Sequence, residues 1–411
     1  MNRRLKVVIS AYACEPNKGS EPGVGWEYAK HLAELGEVWV VTRSNNRKAV
    51  DNELSKHPVE NLHVVFIDLP KWACFWKAGQ RGMHLYYCLW QVLLLKKVRE
   101  LHRVHSFDIL HHLTFGNIWL PIFVPLIDIP FVWGPIGGGE TIPKTFIKHF
   151  SISAKLQEYL RSSIIRALRF NPFFRYCCRK ARAIIVKTEH TAKLIPDKYK
   201  DKVTQMTDVG ISTDSDSSEK QSVDNTSIRI ICVGSLVYWR GFDIAIKAFA
   251  EVRCALNDAR LMIVGDGSEI KKLRRIADEE GVLDAVLFTG KISKDRLNHE
   301  MSLSTIFLNP CLKEGGVTIL LDAMRRGMPV ICMDTGGVTN IVPGIKIPLL
   351  NSQQAISMLA AALHKLGEDS ALRERVGQAC RASVEGFKWA DKARMLYGIY
   401  TREASAGLLS G

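Results

Sequence analysis

The sequence is marked first by what it lacks. No apolar run is long enough to span a bilayer; the most apolar helical stretch, Leu85 to Leu95, is short and contains Gln91. The opening residues, MNRRLKVVISAYACEP, carry positive charge and a brief apolar run without a small-residue cleavage site. They read as a first strand and not as a secretory leader. Ten cysteines show no metal-ligand spacing, and Cys177 and Cys178 are adjacent, not a C-x-x-C pair. Buried, reduced thiols and a cytoplasmic setting are expected from them. No Asp-x-Asp is placed to ligate a metal, so no metal site is expected. G-x-G-x-x-G is missing after the first strand, and no acid ends the second strand where a dinucleotide ribose needs one, which disfavours a dehydrogenase. There is no short-period repeat and no long low-complexity run. With 47% apolar residues in a chain of 411, the composition indicates a globular protein of two domains.

Charge is present but unevenly placed. Residues 1–207 hold 31 Lys and Arg against 17 Asp and Glu, whereas residues 208–411 hold 25 of each. The net charge of +14 therefore sits in the first half and calls for an anionic partner there. Residues 155–182 concentrate it, with Arg161, Arg166, Arg169, Arg175, Arg179, Lys180 and Arg182 interleaved with Phe170, Phe173, Phe174 and Tyr176. Either a solvated basic face covers a packed aromatic one, or the region meets an anionic membrane surface, aided by Trp72, Phe75 and Trp76. No nucleic-acid motif accompanies the charge, so no nucleic-acid partner is expected.

The apolar pattern alternates strand and helix throughout. A strand at 5–10 leads into the glycine-rich turn Gly19-Ser20-Glu21-Pro22-Gly23-Val24-Gly25, a helix at 25–35 and a strand at 37–42. That βαβ unit puts a glycine loop at a strand's carboxyl end, where open parallel sheets bind ligands. Strand 62–67, helix 83–105 and strand 107–110 follow, with His111, His112 and Thr114 at the last strand's carboxyl end. Two consecutive histidines there are either satisfied core residues or functional ones. Strand 130–135 runs into Gly137, Gly138, Gly139 and Glu140, where three glycines admit a ligand close to the backbone or make only a flexible loop. Strands at 183–187 and 203–209 complete a first domain, 1–210. The polar stretch 211–227 reads as a linker. A second domain, 228–387, repeats the alternation with strands at 228–233, 260–264, 285–289 and 305–309, and helices near 353–366, 370–384 and 388–404 finish the chain. Short apolar runs of this kind suit parallel strands covered on both faces.

Chemistry concentrates in EGGVTILLDAMRRGMPVICMDTGG, Glu314 to Gly337. Ile319, Leu320, Ala323 and Met324 form an apolar helical stripe, Gly327 caps it, and Pro329 opens a buried strand. A helix start offers free N–H groups and a partial positive charge, which suits a phosphate. Glu314 and Asp322 are placed to accept hydrogen bonds from sugar hydroxyls on either side of a diphosphate. The plainer alternative is an ordinary helix–strand unit with an N-capping Glu.

Several motifs together resemble retaining glycosyltransferases of the GT-B type, family 4. They are Glu314…Asp322 for the family's Glu-x7-Glu, VGSLVYWRGFDIAIKAF at 233–249, IVGDGSE at 263–269, and in the first half YACEPNKGSEPGVGW, HHLTFGN and WGPIGGGE. The last three resemble a bacterial branch concerned with exopolysaccharide or lipopolysaccharide assembly. The resemblance implies an α/β fold of two facing doubly wound Rossmann-like domains with a cleft between them, and a last helix, 388–411, packing back on the first domain. It further implies transfer of a sugar from a UDP- or GDP-sugar co-substrate to a lipid-linked or saccharide acceptor, without metal or cofactor. Glu314 would bond the donor sugar, the amides of Gly315, Gly316 and Val317 the sugar and diphosphate, Asp322 the ribose, and Arg240 the diphosphate. Gly234, Ser235 and Gly265 would complete the donor site; Gly19, Ser20, Gly137, Gly138, Gly139 and Glu140 would face the acceptor, and His111 or His112 the reacting carbon. Ser235 stands where the family often has Arg, and Asp322 is one methylene shorter than Glu. An epimerase or phosphorylase on the same architecture, or a catalytically silent sugar- or lipid-binding subunit, is the alternative. The protein would lie in the cytoplasm, or peripherally on the inner face of the membrane.

Overall fold

The computed structural model describes residues 3–77, 81–211, 227–256, 258–313 and 318–408. Along the chain, β1 (Lys6–Ala11), α1 (Ser20–Ala33), β2 (Glu37–Arg43), α2 (Arg47–Lys56), β3 (Leu62–Ile67), α3 (Met83–His105), β4 (Ile109–Thr114) and β5 (Phe131–Ile136) come first. Next are α4 (Lys144–Ile147), α5 (Ile152–Ala167), α6 (Pro172–Lys180), β6 (Ala181–Val186), α7 (Glu189–Ala192) and β7 (Val203–Gln205). The second sheet's elements are β8 (Arg229–Val233), α8 (Phe242–Val252), β9 (Arg260–Val264), α9 (Ile270–Glu279), β10 (Val286–Gly290), α10 (Lys294–Ser302), β11 (Ile306–Asn309), α11 (Thr318–Arg325), β12 (Val330–Met333) and β13 (Ile345–Ile347). Helices α12 (Ser352–Glu368), α13 (Ser370–Ser383) and α14 (Trp389–Leu408) end the chain.

The strands pair in two all-parallel sheets, ordered β3-β2-β1-β4-β5-β6-β7 and β10-β9-β8-β11-β12-β13. Both orders reverse direction beside their first strand, which defines a switch point between β1 and β4 in one sheet and between β8 and β11 in the other. Alternate residues of β1 bury on opposite faces of the first sheet. Val7 and Ile9 join Tyr28, Leu32, Trp389 and Tyr400, while Val8 joins Trp90, Phe107 and Trp133. Two-sided burial explains why these strands read as continuous apolar runs.

The chain divides into two compact units: Met1–Gly139 with Ser163–Gly210 and Phe387–Gly411, and Glu140–Ser162 with Ile211–Gly386. The C-terminal residues thus belong to the first unit, through Trp389, Ala393, Leu396 and Tyr400. One boundary differs from the sequence expectation of 1–210. Residues 140–162 belong to the second unit, because Ile142, Phe146, Ile147, Phe150 and Ala154 bury among Leu236, Phe242 and Leu312. A second difference concerns α1, which begins at Ser20 and not near 25. Its glycines make no loop. A Cβ on Gly23 would sit 2.0 Å from the Lys18 carbonyl oxygen and one on Gly25 2.2 Å from that of Ala13, so they let the helix lie directly on the chain that precedes it. Of the expected linker, 211–227, residues 212–226 lie outside the described residues.

Candidate functional site

The carboxyl ends of β8 and β11 converge at the second unit's switch point. After β8 the backbone passes Gly234 and Ser235 and makes one 3-10 turn, Tyr238–Arg240. Gly265, at the end of β9, takes φ +138°, and a Cβ there would lie 1.9 Å from the Gly234 carbonyl oxygen. No side chain fits, so two backbones meet in a bare cradle. Arg240 folds over it, its guanidinium 3.6 Å from where a Gly234 Cβ would stand and 4.7 Å from the centre of the Trp239 ring. The sequence-predicted donor residues Gly234, Gly265 and Arg240 are therefore brought together. After β11, Pro310–Lys313 lies against the same turn: Leu312 N–H donates to the Trp239 carbonyl at 3.0 Å, and a Cβ on Gly241 would meet the Pro310 carbonyl oxygen at 2.1 Å.

Glu314, Gly315, Gly316 and Val317 lie outside the described residues. Their flanks are placed. Lys313 ends the segment from β11, and Thr318 starts α11 with Leu320, Leu321, Ala323 and Met324 buried beneath it. Asp322 is half-buried on α11, and burial pushes its carboxyl above the usual range against the opposing pull of Arg325, Arg326 and Lys294. Beside Lys313 stands a residue for which the sequence gives no signal, Glu158 of α5, fully buried and bonded to both Lys313 and Tyr238.

The first unit gathers polar groups at its own carboxyl edge. Gly19 and Ser20 are exposed just after β1, and Glu21 accepts the Phe115 N–H at 2.5 Å. Burial raises the Glu21 carboxyl, with Lys187 opposing. Gly137 hydrogen-bonds Gly116 at 2.8 Å; a Cβ on Gly138 would touch the Asn117 amide oxygen at 2.5 Å; Gly139 N–H donates to Thr191 at 3.3 Å. Lys187 pairs with Asp208 at 2.5 Å beyond β6 and β7. Of the predicted acceptor residues, Gly19, Ser20 and Gly137 to Gly139 share this unit, whereas Glu140 is buried in the other. Lys187 and Asp208 escape sequence reading because each is a lone charge without a motif, whereas Glu21 lies in the glycine-rich turn but is given no role there.

His111 and His112 require a correction. They lie inside β4, not beyond its end, and both are fully buried. The His112 ring contacts Ser10 Oγ at 2.9 Å and the Tyr87 hydroxyl at 3.2 Å. His111 Nε2–H donates to the Gly134 carbonyl at 2.5 Å, which leaves Nδ1 to accept from the Tyr400 hydroxyl, also at 2.5 Å. Every ring nitrogen of the two imidazoles is therefore engaged within the core of the first unit.

Residues 214–383 match the family described as Glycosyl transferases group 1. The chain carries a glycosyl transferases group 1 domain. Over 168 residues it is 30% identical to a GDP-mannose-dependent alpha-(1-6)-phosphatidylinositol monomannoside mannosyltransferase of Mycobacterium tuberculosis, across 39% of this chain and 44% of the relative. The chain thus spans less than half the length of that relative. Among solved structures, sucrose-phosphate synthase from Thermosynechococcus elongatus superposes with a TM-score of 0.65 at 16% identity, covering 98% of this chain and 100% of the other. HepE of Anabaena in complex with UDP and glucose gives 0.61 at 16% identity, covering 97% and 100%. These likenesses establish the fold as GT-B, with two Rossmann-like domains. The bare cradle, Arg240 and α11 all fall within the glycosyl transferases group 1 domain.

Proposed function

We propose that this protein transfers a sugar from a nucleotide diphosphate sugar to an acceptor hydroxyl, with retention at the anomeric carbon. One observation carries the reading: a side-chain-free cradle, Gly234 against Gly265, lies under Arg240 at the switch point of the second sheet. Such a place admits a diphosphate close to backbone and puts a guanidinium on it. The UDP and glucose held by the Anabaena structure and the GDP-mannose of the mycobacterial relative's name support a nucleotide-sugar donor.

The chemistry follows the charge. As the bond from the anomeric carbon to the diphosphate breaks, negative charge grows on the leaving oxygen, and Arg240 with the first amides of the α11 segment stabilises it. The acceptor oxygen bonds to the same face of the carbon, and its proton passes to a diphosphate oxygen. This path calls on neither a covalent enzyme nucleophile nor a metal. Glu314 and the amides of Gly315, Gly316 and Val317 hold the sugar and phosphate, and Asp322 the ribose. Ser235, the exposed residue after Gly234, carries no charge, so Arg240 carries the larger share of the neutralisation.

We assign acceptor binding to the carboxyl edge of the first sheet, at Gly19, Ser20 and Gly137 to Gly139, in exopolysaccharide or lipopolysaccharide assembly. Exposed apolar side chains among the basic residues of the first half support a lipid-linked acceptor met at an anionic inner-membrane surface. Among the described residues no helix is long and apolar enough to cross a membrane.

A panel of UDP-, GDP- and ADP-sugars tests the donor assignment. The right nucleotide at a hundred times its dissociation constant should stabilise the fold by about 2.7 kcal/mol. Arg240→Ala should remove about 1.5–3 kcal/mol of that binding while keeping the unliganded melting temperature. Glu314→Gln should likewise melt as the parent does and lose a hundredfold or more in turnover, about 2.7 kcal/mol in the barrier. No response to any nucleotide overturns the assignment.

A further inference from the structure

Glu158 is an isolated acid in a basic helical region, and it is fully buried in the second unit. Its Oε1 accepts from the Tyr238 hydroxyl at 2.9 Å and from the Lys313 ammonium. Tyr238 and Lys313 stand on the two segments that leave β8 and β11, the strands flanking the switch point. Tyr238 heads the turn that carries Arg240, and Lys313 immediately precedes Glu314. The cations share one indole: Arg240 Cζ lies 4.7 Å and Lys313 Nζ 5.7 Å from the centre of the Trp239 ring. Phe150 packs edge-on against Tyr238 at 5.2 Å and fixes the same corner from the segment that bears α5.

Stability does not account for this pair. Removing two charges from water costs about as much as their attraction returns, and apolar residues of equal volume serve a core as well or better. The cost is raised by Glu158 Oε2, which is buried without a hydrogen-bond partner among the described residues. Burial also lowers the Lys313 ammonium below the usual lysine range, with Arg161 adding to the effect and Glu158 resisting it. What the arrangement does secure is the relative position of the two segments, which also meet where the Leu312 N–H donates to the Trp239 carbonyl and where Leu312 packs with Leu236 and Phe242.

We propose that Glu158 is a positioning residue of the donor site: by holding Lys313 and Tyr238 it sets the end of the segment that leaves β11 and the Arg240 turn at the spacing a nucleotide diphosphate requires. The inference rests on the donor-site reading above, and the experiment separates the two. UDP and GDP are titrated separately into the full chain while tryptophan fluorescence is followed, with melting temperature measured in parallel. Glu158→Gln should weaken the preferred nucleotide by tenfold or more. Because that change strands a buried ammonium and can unfold the unit, the decisive variant is Glu158→Gln combined with Lys313→Met, which removes both charges. The double variant should recover the parent melting temperature to within a few degrees and still bind tenfold more weakly. Recovery of both stability and affinity means that the pair is structural only and overturns the proposal. Parent-like affinity in Glu158→Gln overturns it as well. If the parent itself binds neither nucleotide, the donor-site reading falls and takes this inference with it.

Discussion

His111 and His112 show how a residue is recruited by its surroundings. Both imidazoles are buried, and burial lowers them to about 4 and about 3, His112 also feeling its neighbour. A histidine depressed in the folded state binds fewer protons there than in the unfolded chain. Its contribution is complete above the ordinary value near 6.5 and fades as pH falls toward the depressed values. At pH 4 each should cost roughly 3 kcal/mol. Urea unfolding between pH 7 and 4 should therefore show stability falling with pH, and His112→Gln should flatten the slope. A slope unchanged by the substitution would mean that carboxylates set it. The pair HH reads the same in sequence whether it faces a ligand or a core; only the hydroxyls of Tyr87 and Tyr400, from α3 and α14, decide the matter.

Among the elements, α3 is legible almost to the residue, because its apolar period runs unbroken from Met83 to His105. Its outer face is the informative one. Leu85, Leu89 and Val92 are exposed, and Lys96, Arg99 and Arg103 continue the same row at helical spacing. Trp72 and Phe75 are more exposed still, at 80% and 89%. Arg161, expected on the basic surface, instead donates to the Glu140 carbonyl. The row on α3 is the better candidate for the anionic membrane: each basic side chain adds about 1 kcal/mol near such a surface, and each buried leucine about 1.5–3 kcal/mol. Leu85→Glu with Leu89→Glu should abolish co-sedimentation with vesicles rich in phosphatidylglycerol and leave nucleotide binding intact. Equal binding of parent and variant would remove α3 from the interface. Where sequence reading failed, the cause was tertiary. The glycines of α1 resemble a loop until the Lys18 and Ala13 carbonyls are seen against them, and residues 140–162 show no boundary because their membership depends on where Phe146 and Phe150 bury.

At the scale of the whole molecule, the C-terminal segment Phe387–Gly411 completes the first unit. Trp389 stacks edge-on with Tyr28 at 5.2 Å, and its ring lies where a Cβ on Gly210 would stand, at 2.6 Å. Lys392 donates to Thr207 at 2.8 Å and 3.0 Å. Trp389, Leu396, Ile399 and Tyr400 are buried there, and at roughly 1.5–3 kcal/mol per side chain their loss approaches the roughly 5–15 kcal/mol that holds a domain folded. A chain ending at residue 386 should lose the first unit and keep the second, seen as a protease-resistant core in which residues 140–162 stay with 211–386 and nucleotide binding is retained. A single melting transition at the parent temperature would contradict this.

The path of the chain carries a consequence for recombination. It leaves the first unit at Gly139, returns at Ser163, leaves again after Gly210 and returns at Phe387. A chimera that exchanged donor halves with a relative at residue 211 would inherit Lys313 from one parent and its carboxylate partner from the other. Heritable modules here are discontinuous: the segment 140–162 must travel with 211–386, and the final helix must stay behind. A crossover map drawn on contiguous halves would make hybrids whose core around Phe150 and Tyr238 is assembled from strangers.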